Sequence, residues 1–291
     1  MITAGQIVQY LVSGVTLGSI YAIVGLGFTI IYSVTGIINF AQGEFVMLGG
    51  MMAFLLLNTL KLPLALSVIL SVLGVALVGF LLDRFAIRPA RQASVISLII
   101  ITIGASIFIR GVAGQVWGKD AVPIPPFSGD APLHMLGASV LPQSLWIVGL
   151  TIMVMLALHL FFTHTMLGKA LRACAVNRRA ASLMGIDART MSLISFSLSA
   201  GLGALGGIII APMTLTSYDV GVMLGLKGFV AAALGGFSSQ LATVVGGIGL
   251  GVLESLGAGL ISSAYKDAIA LMVLFLVLFA RSGWRGGEGG E

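Results

Sequence analysis

Two acidic residues, Glu44 and Glu254, stand inside long apolar stretches of this 291-residue chain. An ionisable group in hydrocarbon costs roughly 2.5–3.5 kcal/mol on insertion scales, so such residues face a cavity or the protein interior. In "NFAQGE" the polar side chains Asn39, Gln42 and Glu44 cluster, and Gly43 can interrupt helical regularity. The chemistry open to this cluster is polar contact along a passage through a bilayer, which makes Asn39, Gln42, Gly43 and Glu44 candidates for a pathway wall or gate. The structural alternative is that these groups satisfy backbone atoms at a helix break. Glu254 in "GVLESLG" poses the same choice; Arg110 and Lys266 are cations that could neutralise it, and no spacing argument selects either. Arg110 lies near the end of its apolar run and reads as a side chain that snorkels to the headgroups.

Other chemistries find no matching constellation. Cys174 is alone, so an intrachain disulfide is impossible, and with His134, His159 and His164 it makes no metal-ligand pattern. No Ser/His pair or HExxH site points to an intramembrane enzyme, and no GxxxxGK[ST] loop offers a way to bind ATP. The sequence therefore implies no catalytic residue, no metal and no cofactor of its own.

The elements that must position these residues follow from composition. Hydrophobic residues make up 58% of the chain and charged ones 9%, and the charges divide it into uncharged runs at 1–43, 62–82, 92–109, 131–168, 190–218 and 228–253. About 20 apolar residues rising 1.5 Å each cross a bilayer core of about 30 Å, so most of these runs can span. Barrel strands would alternate in polarity, whereas runs such as "VISLIIITIGASIFI" do not. The expected fold is an all-α polytopic transmembrane bundle of about 8 helices (8–9), forming a single domain over 1–291. Helices are expected at about 6–31, 38–59, 63–82, 94–117, 143–163, 190–212, 228–258 (broken) and 264–280. The first lacks the basic flank of a cleaved signal and is expected to be retained.

Orientation comes from the loops. Residues 83–91 hold Arg84, Arg88 and Arg91, and 164–189 hold Lys169, Arg172, Arg178, Arg179 and Arg189, while 118–142 has Lys119 as its one cation. Both basic loops are expected in the cytoplasm, and the net charge of +5 reflects this bias rather than nucleic-acid binding. Prolines at 123, 125, 126, 132 and 142 make 118–142 a non-helical external cap. Arg281 and Arg285 before "GGEGGE" argue for a cytoplasmic, flexible tail over 282–291. That side requires an odd number of crossings after residue 221, so either the glycine-rich segment hides a third short or re-entrant helix or the tail is outside.

Small residues recur at four-residue spacing, Gly14 with Gly18, Gly203 with Gly207 and Gly247 with Gly251, which lets helix backbones approach closely in lipid. "FVMLGG" at 45–50 and "FVAAALGG" at 229–236 invite an internal repeat with broken helices in matching places.

"GKALRACAVNRRAASLMGIDART" at 168–190 is too polar to span. Asn177 can cap a short helix over about 178–184, and Gly185 can end it in the left-handed conformation. Ala180, Ala181, Leu183 and Met184 give that helix an apolar side. It reads either as an interfacial helix on lipid or as a docking helix entering a groove on a cytoplasmic partner.

"GKALRACAVNRRAASLMGI" resembles the cytoplasmic coupling loop of branched-chain amino acid ABC transporter permeases, "GFTIIYSVTGIINFAQGEFVMLGG" their N-terminal signature and "LKGFVAAALGGFSS" their C-terminal one. The order and nearly full-length extent match, closer to the H-type subunit than the M-type. The resemblance implies a multi-pass protein of a bacterial or archaeal plasma membrane, the inner membrane in a Gram-negative cell. It also implies a second (M-type) permease, two cytoplasmic ATPases that use ATP, and an external substrate-binding protein. Carried over by motif, the ATPase-coupling residues are Arg172, Ala173, Asn177, Ala180, Ala181, Leu183, Gly185 and Ile186. The implied cargo is leucine, isoleucine and valine; urea, short amides or other amino acids are the alternatives within the family. A gradient-driven transporter or channel is the alternative outside it.

Overall fold

Long uncharged stretches of good helix formers satisfy their own backbone, and in the computed structural model they do so almost everywhere. The structure describes residues 3–90, 93–129, 131–135 and 137–285. In chain order the elements are α1 (Ala4–Thr35), α2 (Gln42–Phe54), α3 (Leu64–Leu82), α4 (Val95–Val116), a hairpin of β1 (Leu133–Met135) and β2 (Ala138–Val140), then α5 (Pro142–His164), α6 (Met166–Val176), α7 (Arg178–Leu183), α8 (Ala188–Thr214), α9 (Val220–Leu234), α10 (Gln240–Leu260) and α11 (Lys266–Arg285). Helices α2 and α3 run on through wider π turns at Leu55–Thr59 and Asp83–Ile87. Among the described residues six helices are long and apolar enough to cross a membrane, namely α1, α3, α4, α5, α8 and α10, and α9 is a shorter apolar helix. The all-α polytopic bundle is thus the fold.

Helix α1 is the central post. Residues 18–31 are buried on every side, as a helix apolar all round must be. Helices α3, α4 and α5 form the periphery and turn Leu73, Leu77, Ile100, Phe108, Met153 and Leu156 outward, a surface suited to lipid.

The glycine pairs do what four-residue spacing allows. Gly14 and Gly18 of α1 lie against the α10 backbone at Gly247–Val252, where a Cβ on Gly18 would stand 2.5 Å from the Ile248 Cα. Gly203 and Gly207 of α8 receive Phe45 and the Val46 carbonyl of α2. Hydroxyls add interhelical bonds: Thr29 to Thr243 at 2.9 Å, and Ser255 donating to the Tyr10 carbonyl at 2.7 Å.

The expected break in 228–258 is a full reversal. Gly236 and Phe237, both with positive φ, turn the chain between α9 and α10. Three helices follow Asp219, so the third short helix left open by the charge pattern is α9. Helix α11 continues past the expected 280 to Arg285; Arg91 and the tail 286–291 lie outside the described residues. The proline-rich segment is non-helical as expected, and additionally forms the β1–β2 hairpin and a bridge from Val122 to Thr216. Gln9 accepts from the Ser139 N–H at 2.7 Å, which fixes the start of α1 at this hairpin end of the bundle. "FVMLGG" lies inside α2, whereas "FVAAALGG" ends α9, so the two motifs do not occupy matching places.

Candidate functional site

Helix α1 ends at Gly36, whose φ of 71° is the left-handed C-cap a Cβ would disfavour. Residues 37–41 then run non-helically through the bundle interior before α2 starts. This backbone is not left bare: the Phe40 N–H donates to the Thr102 hydroxyl at 3.2 Å and the Ala41 N–H to Asn39 Oδ1 at 3.1 Å. Such irregular backbone is tolerated at membrane depth where protein buries it or a cavity needs it.

Gln42 fastens the break. Its Nε2 donates to the Ser199 carbonyl at 3.1 Å, and the Ser199 hydroxyl lies 2.6 Å from Gln42 Oε1 and 2.8 Å from the Gly27 carbonyl, so α1, α2 and α8 meet at one side chain. Gly43 packs on Gly221 and Gly225 of α9, where a Cβ would run into the Gly221 carbonyl. Gln42 therefore sits as the structural alternative described, Asn39 holds the Ala41 N–H while its buried Nδ2 has no partner among the described residues, and Gly43 is both the crossing point of α2 and α9 and part of the lining of the adjacent cavity.

Glu44 sits differently. It lines a cavity of about 310 Å³ together with Phe28, Phe40, Ile107, Arg110 and Phe229. One carboxylate oxygen accepts from the Ser106 hydroxyl at 2.8 Å; the other is buried and has no hydrogen-bond partner among the described residues. Arg110 follows Ser106 by one turn on α4, and this four-residue spacing puts both side chains on one helix face, where both line the cavity. The floor is aromatic: Phe229 lies 5.8 Å from both Phe28 and Phe40, and Phe237 continues the stack to Tyr32 at 4.9 Å.

Glu254 is not part of this cavity. It is fully buried in α10, where its carboxylate is 2.8 Å from the ammonium of Lys227 and accepts from the Tyr21 hydroxyl at 2.6 Å. Lys227 also reaches Asp267 at 2.8 Å. The cations Arg110 and Lys266 suggested by the sequence are thus replaced by Lys227. Reading 228–253 as an uncharged run placed Lys227 and Glu254 at opposite ends of a span. The chain reverses near 235–239, and the two charges bordering the run come side by side; the Gly235–Gly236 pair was the available signal.

The 164–189 segment is more regular than expected, since α6 precedes the anticipated short helix. Leu167, Leu171 and Cys174 recur at helical spacing, and Leu171 and Cys174 pack inward with Leu158 and Phe162 of α5. Asn177 caps α7 through the Arg179 and Ala180 N–H groups, both at 3.0 Å, and Gly185 adopts φ 86° after it. Asp187 caps α8 in turn. The Thr190 hydroxyl and the Arg189 N–H that it accepts hold its carboxyl below the usual carboxylate range. This depressed value means the cap is complete at neutral pH and lost only as acid protonates Asp187.

Of the eight motif-assigned coupling residues, Arg172, Asn177, Ala180, Leu183 and Gly185 are exposed, Ala173 and Ile186 are half-buried, and Ala181 is buried against the bundle. Ala181 therefore anchors α7, and the apolar groups offered outward are Val176, Leu183 and Met184, each more than 80% exposed. The turn at 238–241 lines a cleft with Leu171 and Arg172, so the α9–α10 reversal abuts this segment.

Comparison with known proteins adds independent evidence. Residues 10–278 match the family model described as the branched-chain amino acid transport system permease component. The chain is 32% identical to the high-affinity branched-chain amino acid transport system permease protein LivH of Salmonella typhimurium, covering 93% of this chain and 92% of that one. It is 32% identical to the permease protein BraD of Pseudomonas aeruginosa (94% and 93% covered), and 29% identical to the probable LivH of Methanocaldococcus jannaschii (89% and 86% covered). With its multi-pass helical fold and these full-length matches, the chain belongs to the branched-chain amino acid transport permease family and is a transport subunit rather than an enzyme.

Proposed function

We propose that this chain is one of two permease subunits of an ATP-binding cassette importer in the plasma membrane, and that it forms part of the pathway for branched-chain amino acids. One of two cytoplasmic ATPases would dock on α6–α7, a second, M-type permease would complete the pathway and receive the other, and an external binding protein would deliver cargo at the hairpin end. ATP is hydrolysed by those partners. Val176, Leu183 and Met184, exposed on a segment clamped to α5 and α8, carry this reading: apolar side chains on rigid polar helices suit a groove in a soluble partner better than they suit water. The α9–α10 reversal, which lines a cleft with Leu171 and Arg172 of α6, gives motion of that segment a route to the aromatic floor, because Phe237 lies in the turn with its ring 5.5 Å from that of Phe229.

The test is Leu183→Asp. Leu183 is 85% exposed, so the substitution leaves the bundle intact while placing a charge in the docking contact. Co-purification of the ATPases and ATP-driven leucine uptake are expected to fall about 10-fold or more, with normal membrane yield. Wild-type uptake by this variant would refute the docking assignment.

A further inference from the structure

The cavity beside α2 carries two groups of opposite charge among apolar walls. Glu44 is 1% exposed and keeps one oxygen on Ser106, leaving the second without a hydrogen-bond partner among the described residues. Arg110 lines the same cavity and acts on the Glu44 carboxylate through space, yet among the described residues the close ion pairs are those of Lys227, so Glu44 and Arg110 are not in salt-bridge contact. The remaining lining is apolar, with Phe28, Phe40, Ile103, Ile107, Leu226 and Phe229 among it and glycines between.

Resting on the permease reading, we propose that this cavity is a transit site for a zwitterionic amino acid with an apolar side chain. Glu44 takes the α-ammonium, Arg110 takes the α-carboxylate, and the side chain lies on Ile103, Ile107 and Phe229. A buried carboxylate oxygen without a donor calls for one, and an ammonium group supplies it as a charge-assisted bond. A guanidinium is the matching group for a carboxylate. Hard metal cations need several oxygen ligands, which these walls do not offer, and a polyhydroxylated cargo would leave its hydroxyls unpaired against them. At about 310 Å³ the space lies at the small end of the ~300–1,000 Å³ typical of small-molecule sites, as a single amino acid requires.

The test is photolabelling of the assembled importer in lipid nanodiscs with a diazirine analogue of leucine. Label is expected on the peptide containing Ile103 and Ile107, displaced by leucine. Leucinamide, which lacks the carboxylate, and 4-methylpentanoate, which lacks the ammonium, should each compete about 10-fold or more less well. Glu44→Gln and Arg110→Met should each lower labelling about 10-fold or more; Arg110 is on the peripheral α4, so its loss is not confounded by misfolding. Labelling within about twofold of wild type in both variants, or equal competition by either analogue, would overturn the site. ATP-driven leucine uptake by the same preparation tests the permease reading separately. Wild-type uptake with label indifferent to Glu44 and Arg110 removes this site alone, and absent uptake with label that depends on them removes the importer reading but keeps the site.

Discussion

Replacing Lys227 by Met is expected to leave little monodisperse protein after detergent extraction, and adding Glu254→Gln is expected to restore most of it. The reason is asymmetric. Lys227 and Glu254 are both buried, and their 2.8 Å contact offsets the cost of removing two charges from water. Losing one partner strands the other, a change worth about 3–5 kcal/mol, a large share of the stability of an ordinary domain. In the double variant the residue at 254 is neutral and can still accept from Tyr21, whose hydroxyl lies 2.6 Å from Glu254. Asp267→Asn should matter far less: its side chain is 59% exposed, and exposed ion pairs contribute about 0–1 kcal/mol. Melting of the purified single and double variants by intrinsic fluorescence checks the pattern, and equal stability of Lys227→Met and wild type would contradict it.

Gly251→Leu should be as damaging, whereas Gly249→Leu, two residues away, should be tolerated. A Cβ at Gly251 would run into the backbone of α1 at Gly14 and Gly18, groups that cannot rotate aside; at Gly249 nothing lies within 4 Å. Overpacking a core with extra methylenes costs about 1–3 kcal/mol even where side chains can adjust, and here the obstacle is the central helix itself. Because α1 is buried along residues 18–31, displacing it disturbs α8, α9 and α10 together. The yield of folded protein from membranes, compared for the two leucine variants, decides the matter. Similar yields would show that α1 and α10 do not depend on backbone contact.

What could be read in the residues, and what could not, has a physical pattern. Charge-free runs located the spans because lipid forces long self-bonded segments, and four-residue glycine spacing marked the close-approach faces of α1, α8 and α10 because it puts small residues on one face. The caps at Asn177 and Gly185 were legible because each residue type has a local backbone reason to be there. Pairings across the bundle were not. Lys227 was hidden as the border of a run, and Ala181, indistinguishable in type from Ala180, turns inward only because α7 packs on α6 and α8. The α6 helix was hidden by its lysine and arginine, although Gly168, Leu171 and Cys174 mark its buried face. Among the pathway candidates, polarity alone could not separate Gln42, which ties three helices together, from Glu44, which opens onto a cavity.

The central claim is that α6 and α7 form the surface on which a cytoplasmic ATPase acts, and its most direct measurement is the accessibility of a cysteine placed at Leu183. The natural Cys174 is buried and its thiol is pushed up by that burial, so it should stay silent. In Leu183→Cys, a membrane-impermeant maleimide is expected to react in inside-out vesicles, to be blocked there when the ATPases are bound, and to leave intact cells unlabelled. Rapid labelling from the outside of intact cells, or labelling indifferent to the ATPases, would contradict the account.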